Sequence, residues 1–478
     1  LNGDEKVAES QKQAKQTIDQ LQHLNQAQHQ SLIEQVEQSQ DLNNINQIVD
    51  DAKALNQAMN DLQNAVVNSE GPTKTSGNYI NADTSLQHDF DQAITNANKA
   101  LDKPTGSNLS IDQVNQLKEA IDTTKAALNG DQRLNDTKVK ALQDLNQLNH
   151  LNDAQKEFAT QQINNADILK KVADAIKTAS TLDQSMNALN QYIQSTEIPV
   201  KASTNYIDAD HDLKSNYDQA IKQAHQVLNQ KQGSALTSNE VNALKQAVIK
   251  AENALNGDQN VTSAKSKANQ FIDQLDGLNQ VQKEKAHQQV DKANDLETLN
   301  NIINNHIDLN DAMNELKSLL KNEVPSSENS INYQNADDNI KEEFDQAKRN
   351  GQDIIEGSNY GPADTNEVNG AVQAIKDAIN HLNGDNRLQE SKNEAIKAIN
   401  KTLNDKLNEI NKANATEQDK VEAKNQAEAL VNQIINDINK STSNQAVENV
   451  NNNGQQALNQ IHANEIPKAQ IDGITDID

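Results

Sequence analysis

The side chains that could carry chemistry in this chain are few and poorly placed for it. Ten histidines (His23, His29, His88, His150, His211, His225, His287, His306, His381 and His462) are scattered, and none falls in a zinc-like spacing. No cysteine is present, so the sequence holds no thiolate nucleophile, metal-thiolate site or disulfide framework. Asp208, Asp210 and Asp212 set carboxylates at alternate positions, which imitates the opening of a calcium loop. Against that reading, Leu213 takes the place of the required glycine and no glutamate closes the loop. The equivalent positions elsewhere are Asn81, Asp83, Ser85 and Asn335, Asp337, Asn339. A helix-start cluster favoured by the helix dipole is the simpler account. Serine and threonine are plentiful, yet no Gly-x-Ser-x-Gly elbow, phosphate-binding loop or dinucleotide fingerprint occurs. The expectation is a non-enzyme with no catalytic, metal or cofactor-binding residues. Tyr79, Tyr206 and Tyr333 invite a partner-anchoring role, since tyrosine is enriched at interfaces. The favoured reading is that each ring closes the end of a bundle with its hydroxyl in water. Met59, Met186 and Met313 read as core fillers.

These residues recur every 127 positions, and the elements that place them must recur too. Leu1, Leu128, Leu255 and Leu382 each open a Leu-Asn-Gly-Asp tetrapeptide. The methionines, the tyrosines of NYINAD, NYIDAD and NYQNAD, and the aromatics Phe90, Tyr217 and Phe344 keep the same interval. The chain is three full copies of one unit plus a divergent remainder, 382–478, which marks a modular array. Because it opens in mid-period, it reads as an excerpt from a longer array.

With 34% hydrophobic residues and only 2% aromatics, the chain must build its cores from Leu, Ile, Val and Ala. That suits narrow helical bundles, and several small cores are expected. A formal charge of −27 disfavours nucleic acid, whose phosphates need clustered Lys and Arg. No run approaches the roughly 20 apolar residues of a membrane span, and LNGDEKVAES lacks the apolar stretch of a signal peptide.

Within a period, Val241, Leu244, Val248 and Leu255 form one apolar stripe of a helix. Thr237 with Glu240 three residues later is a helix-start box, matched by Ser110 with Gln113 and Asp364 with Glu367. The loops before these starts differ freely. A second start recurs at Asn25 with Gln28, Asn152 with Gln155 and Asn279 with Gln282. A third, longer helix runs from about Ile168 through Met186 to Ile193, and Pro72, Pro104, Pro199, Pro325 and Pro362 are placed in breaks. One period thus predicts a three-helix bundle of about 50 residues and another of about 75 that begins in the shared long helix. The Asn-Gly after Leu128, Leu255 and Leu382 is either a helix C-cap or a glycine carried inside a helix. After Leu382 a long helix is followed by starts near Thr416 and Ser443.

On LNxAQ, the Met-containing helix, NYxxAD and the closing ALNG, the sequence resembles the giant extracellular matrix-binding proteins of staphylococci, which alternate GA-related and FIVAR modules. The resemblance implies an all-α chain of tandem three-helix bundles set end to end as an elongated, monomeric rod. GA-like bundles are expected at 1–54, 128–181 and 255–308, FIVAR bundles at 55–127, 182–254 and 309–381, and a divergent helical module of another repeat class at 382–478. It further implies a wall-associated, non-enzymatic adhesin segment that binds host fibronectin and supports attachment and biofilm formation. Albumin or immunoglobulin binding by the GA-like part is implied more weakly, and the alternative is a purely structural spacer. No partner-contacting residue is singled out by the sequence. With helices of 20–25 residues about 30–38 Å long, a rod of this length would have a radius of gyration near 60–75 Å against about 23 Å for one globule.

Overall fold

Aliphatic residues at helical spacing, punctuated by side-chain caps, produce helices throughout the computed structural model, which describes residues 2–467. Helices make up 81% of the structure. The first period contains α1 (Gly3–Asp19), α2 (Gln26–Gln38), the long α3 (Leu42–Lys74), a single turn α4 (Gly77–Ile80), α5 (Thr84–Leu101) and α6 (Ile111–Ala126). The second repeats the order with α7 (Gly130–Asn146), α8 (Asp153–Asn165), α9 (Leu169–Ala202), α10 (Thr204–Ile207), α11 (His211–Leu228) and α12 (Ser238–Ala254). The third has α13 (Gly257–Asp273), α14 (Gln280–Lys292), α15 (Leu296–Ser318), a π-turn (Leu319–Glu323), α16 (Val324–Glu328), α17 (Ile331–Gln334), α18 (Asp338–Glu356) and α19 (Thr365–His381). A three-helix module of α20 (Gly384–Lys412), α21 (Glu417–Lys440) and α22 (Asn444–Asn459) follows. Among the described residues, contacts divide the chain into two compact units, one of residues 2–206 and 210–255, the other of residues 207–209 and 256–467.

The starts read from the sequence are present. Ser110 accepts from Gln113 N at 3.2 Å, Thr237 from Glu240 N at 3.2 Å and Asp364 from Glu367 N at 2.8 Å. Thr416 and Ser443 cap α21 and α22. As expected, the long helices α3 and α9 serve two bundles each.

Three expectations need correction. Pro72 and Pro199 lie inside α3 and α9, not in breaks, although Pro104 and Pro362 do lie in turns. A proline deletes one helical hydrogen bond and crowds the preceding turn, but here the chain stays helical until a serine four residues later. Ser76 Oγ donates to Thr73 O at 2.6 Å and Ser203 Oγ to Val200 O at 2.6 Å, and each then accepts the amide of the following tyrosine. Pro325 sits one register earlier and follows the π-turn, in which Val324 N donates to Leu319 O.

Second, the Asn-Gly joints are neither C-caps nor mid-helix glycines. Gly130 and Gly384 are the first residues of α7 and α20. A Cβ at Gly130 would meet the carbonyl oxygens of Asn78 and Gly77, the latter at 2.6 Å, and one at Gly384 would meet the carbonyl of Asn332. Glycine is required by close backbone approach, not by a left-handed φ.

Third, the first period does not hold two small cores. One apolar cluster runs from Ala14 through Met59 and Phe90 to Leu128, joining both of its bundles. In the third period the cluster is split, with residues from Val261 to Leu299 in one part and Leu275 to Leu382 in the other. His306 lies on α15 where α3 carries Ala52 and α9 carries Ala179, and it is just as buried. Its Nδ1 is 2.7 Å from Ile302 O. An imidazole thus stands in place of a methyl, in a period where Ala286 also replaces Leu32 and Ile302 is less buried than Ile48.

Candidate partner-binding groove

The cap at the start of α8 reaches well beyond its own helix. Asn152 Oδ1 accepts from Gln155 N at 2.8 Å and Gln155 Oε1 accepts from Asn152 N at 2.9 Å, a reciprocal box. Asn152 Nδ2 then donates to Val227 O and Ser234 O at 2.9 and 3.0 Å, and Gln155 Nε2 to Leu236 O at 3.3 Å. Both side chains are buried, so their second set of bonds fixes the first bundle of the period onto the loop between α11 and α12. The first period repeats this with Asn25 on Ala100 O and Ser107 O and Gln28 on Leu109 O. The third does so with Asn279 on Ile354 O and Gln282 on Ala363 O. The loops differ in sequence but deliver carbonyls to the same amides. Gly106, Gly233 and Gly357 allow the approach, since a Cβ at any of them would crowd the capping asparagine.

This clamp leaves a groove bounded by the second helix, the long helix and the start of the last helix of each period. The groove of the second period, about 680 Å³, is lined by Phe158, Ala159, Gln162, Thr178, Leu182, Leu236 and Thr237. The first period places Ser31, Leu32, Gln35, Asp51, Leu55, Leu109 and Ser110 around about 550 Å³. The third places Lys285, Gln289, Asn305, Leu309, Ala363 and Asp364 around about 350 Å³. Each set lies 127 residues from the next. The floor is similar, with Leu55, Leu182 or Leu309 below and a capped helix start beside it. One wall position varies from Ser31 to Phe158 to Lys285, and Phe158 is 54% exposed. Concave, partly apolar surfaces with a few convergent polar groups are where ligands bind. Sequence reasoning named no contact residue; the recurrence of Gln35, Gln162 and Gln289 beside each cap was the available signal.

The residues singled out from the sequence lie elsewhere. Tyr79, Tyr206 and Tyr333 are the rings expected to close bundle ends, and their hydroxyls donate to Asp91, Asp218 and Asp345 at 2.9, 2.9 and 2.8 Å. Each ring packs at an angle on Phe90, Tyr217 or Phe344. Burial, and then the neighbouring carboxylate, raise the phenol pKa, to about 12 at Tyr333. These are bundle-end braces. Met59, Met186 and Met313 are buried core residues. The acidic trio is dispersed in role: Asp208 Oδ2 accepts Leu296 N at 3.1 Å, Asp210 is the N-cap of α11, and Asp212 lies in its first turn. Five histidines meet single carboxylates, His29 with Asp19, His225 with Glu197, His287 with Asp273, His381 with Glu343 and His462 with Glu409. Among the described residues no three His, Asp or Glu side chains form a metal-ligating group, and no helix is long and apolar enough to cross a membrane.

The GA module matches residues 4–58, 131–185 and 258–312, and the FIVAR domain matches 58–129, 185–256 and 312–383. Residues 391–466 match the Domain of Unknown Function (DUF1542). The chain is 52% identical, over all 478 residues, to extracellular matrix-binding protein EbhA of Staphylococcus aureus strain Mu3, and it spans 7% of that protein. The same identity holds against extracellular matrix-binding protein ebh of strain JH9, of which the chain spans 4%. A crystal structure of a domain of Staphylococcus aureus EbhA aligns with 51% of this chain and 96% of its own length, at 32% identity and a TM-score of 0.47.

Proposed function

This chain belongs to the family of staphylococcal extracellular matrix-binding proteins built from tandem GA and FIVAR modules, and from that premise we propose that it is a multivalent adhesive segment whose periods each offer one groove to host fibronectin. The relatives are named extracellular matrix-binding proteins, which supports a matrix-binding, adhesin-type role outside the cell. The observation that carries the finer reading is the same groove recurring at a fixed 127-residue interval in all three periods. Linked weak sites gain roughly 10²–10⁴ in avidity over one site when the target is itself repeated or immobilised. Fibronectin laid down as fibrils is such a target, and attachment within a biofilm follows from the same avidity. We place the module boundaries after residues 54, 127, 181, 254, 308 and 381, with those at 54, 181 and 308 inside the shared helices α3, α9 and α15.

The test replaces Gln35, Gln162 and Gln289, all exposed at the groove rims, with arginine, singly and together, in the full chain. Binding to immobilised fibronectin is expected to weaken stepwise with each closed groove, with albumin and immunoglobulin surfaces run in parallel. Unchanged fibronectin binding by the triple variant removes the groove. Absence of saturable binding by the parent chain to all three surfaces leaves the spacer reading. That reading has its own support in the buried amide clamps that hold the two bundles of each period together.

A further inference from the structure

We infer that the Asn-Tyr-x-Asn-Ala-Asp corner of a FIVAR bundle is a docking socket for the module that follows, and that it recognises an Asn-Gly-Asp helix start rather than the class of that module. Two such corners are seen with their occupants inside the compact units. Residues 78–83 receive the start of α7, which opens a GA module, and residues 332–337 receive the start of α20, which opens the DUF1542 module. The occupants differ in sequence class and helix length, yet the asparagine and main-chain contacts agree in partner and direction.

In the first, Asn78 Oδ1 accepts Asp131 N at 3.0 Å; in the second, Asn332 Oδ1 accepts Asp385 N at 2.9 Å. The last aspartate of the corner and the asparagine of the helix start then bond reciprocally. Asp83 N donates to Asn129 Oδ1 at 3.0 Å while Asn129 Nδ2 donates to Asp83 Oδ2 at 2.7 Å. Asp337 and Asn383 do the same at 3.0 and 2.9 Å. Arg133 and Arg387 follow at the same register and pair with Asp83 and Asp337 at 3.1 and 2.8 Å. The central asparagine of the corner grips a second helix start in the incoming module. Asn81 accepts Leu169 N at 3.1 Å and donates to Asp167 O at 3.0 Å; Asn335 accepts Asn444 N at 2.7 Å and donates to Thr442 O at 3.0 Å. Both asparagines are buried. The partner this surface fits is therefore a helical bundle that opens Asn-Gly-Asp and sets two helix starts side by side.

Asn2-Gly3-Asp4 is the same tetrapeptide remnant at the start of α1, and among the described residues nothing lies within 4 Å of a Cβ built at Gly3. Asn2 there has φ 59°, whereas Asn129 and Asn383, held by a corner, have φ −121° and −122°. The demand for glycine at Gly130 and Gly384 comes from the corner's carbonyls, Asn78 O and Asn332 O, which a Cβ would meet.

The experiment is hydrogen exchange by mass spectrometry on the full chain carrying Gly3→Ala, Gly130→Ala or Gly384→Ala. Gly130→Ala is expected to speed exchange about tenfold or more in segments holding the amides of Asp83, Asp131 and Leu169, and Gly384→Ala likewise for Asp337, Asp385 and Asn444. Gly3→Ala is expected to leave exchange within about twofold of the parent. The proposal is overturned if the three alanines behave alike, or if only one of the two corners responds, which would make the socket specific to a module class. Should Gly384→Ala also loosen the helix interiors, Asn335→Ala decides. Faster exchange at Asn444 with helix interiors unchanged supports the socket, and unchanged exchange at Asn444 removes it.

Discussion

Asn152 shows how one side chain can be half legible. Its capping role was readable because the partner, Gln155, stands three residues away, whereas its other bonds go to carbonyls 75 and 82 residues distant. Local spacing reveals the first and only the fold reveals the second. Removing the cap alone typically costs about 0.5–2 kcal/mol, the magnitude expected for the exposed Thr237→Ala. Asn152→Ala also strands the carbonyl of buried Val227 and removes the bond to Ser234 in the loop, so a loss of about 2–4 kcal/mol is expected in urea unfolding. Equal losses for the two variants would show that the clamp contributes nothing. Tyr217 makes the opposite case. It is fully buried where the other periods carry Phe90 and Phe344, and its hydroxyl finds no hydrogen-bond partner among the described residues. Tyr217→Phe removes an uncompensated buried polar group and is expected to raise stability by about 1 kcal/mol, read as a higher unfolding midpoint.

Among the elements, the helices and their starts were legible from apolar spacing and capping residues, but their ends were not. Proline was read as punctuation, yet at Pro72 and Pro199 the serine after it stops the helix by capturing a carbonyl and presenting its oxygen to the next amide. A sequence pattern shows that a break is near; which residue makes it depends on packing of the last turn, where Thr73 is buried. His306 was visible too, but as one of ten scattered histidines rather than as the occupant of an alanine register. His306→Ala is expected to join the two apolar clusters of the third period, raise its stability by about 1 kcal/mol, and merge its bundles into one calorimetric transition. Two separate transitions after the change would show that the interruption lies elsewhere.

For the molecule as a whole, the 127-residue interval exposed the modular order directly, because identical residues at identical spacing need no folding argument. The joints stayed hidden because asparagine, glycine and aspartate are ordinary turn residues, and only their pairing across about 50 positions distinguishes them. The joint at Asp337 carries a pH dependence whose sign is fixed. The hydrogen bonds it accepts from Arg387, and then from Asn383, hold its pKa below the ordinary 3.8, so its contribution is complete above that value and is lost as pH falls through the lower, folded-state value. Exchange at the Asp385 amide is expected to accelerate, relative to helix interiors, below about pH 4. Asp337→Asn should remove that acid-dependent acceleration. The divided core of the third period has a mechanical consequence. A helical array under tension yields first where the fewest side chains must part together. In the first period both bundles share one apolar body, while in the third the apolar contacts fall into two groups, joined across the period by the amides of Asn279 and Gln282. Were the smaller apolar group to part first, about 50 residues at roughly 3.3–3.6 Å each would span at most some 165–180 Å of extended chain, less the length of the folded bundle.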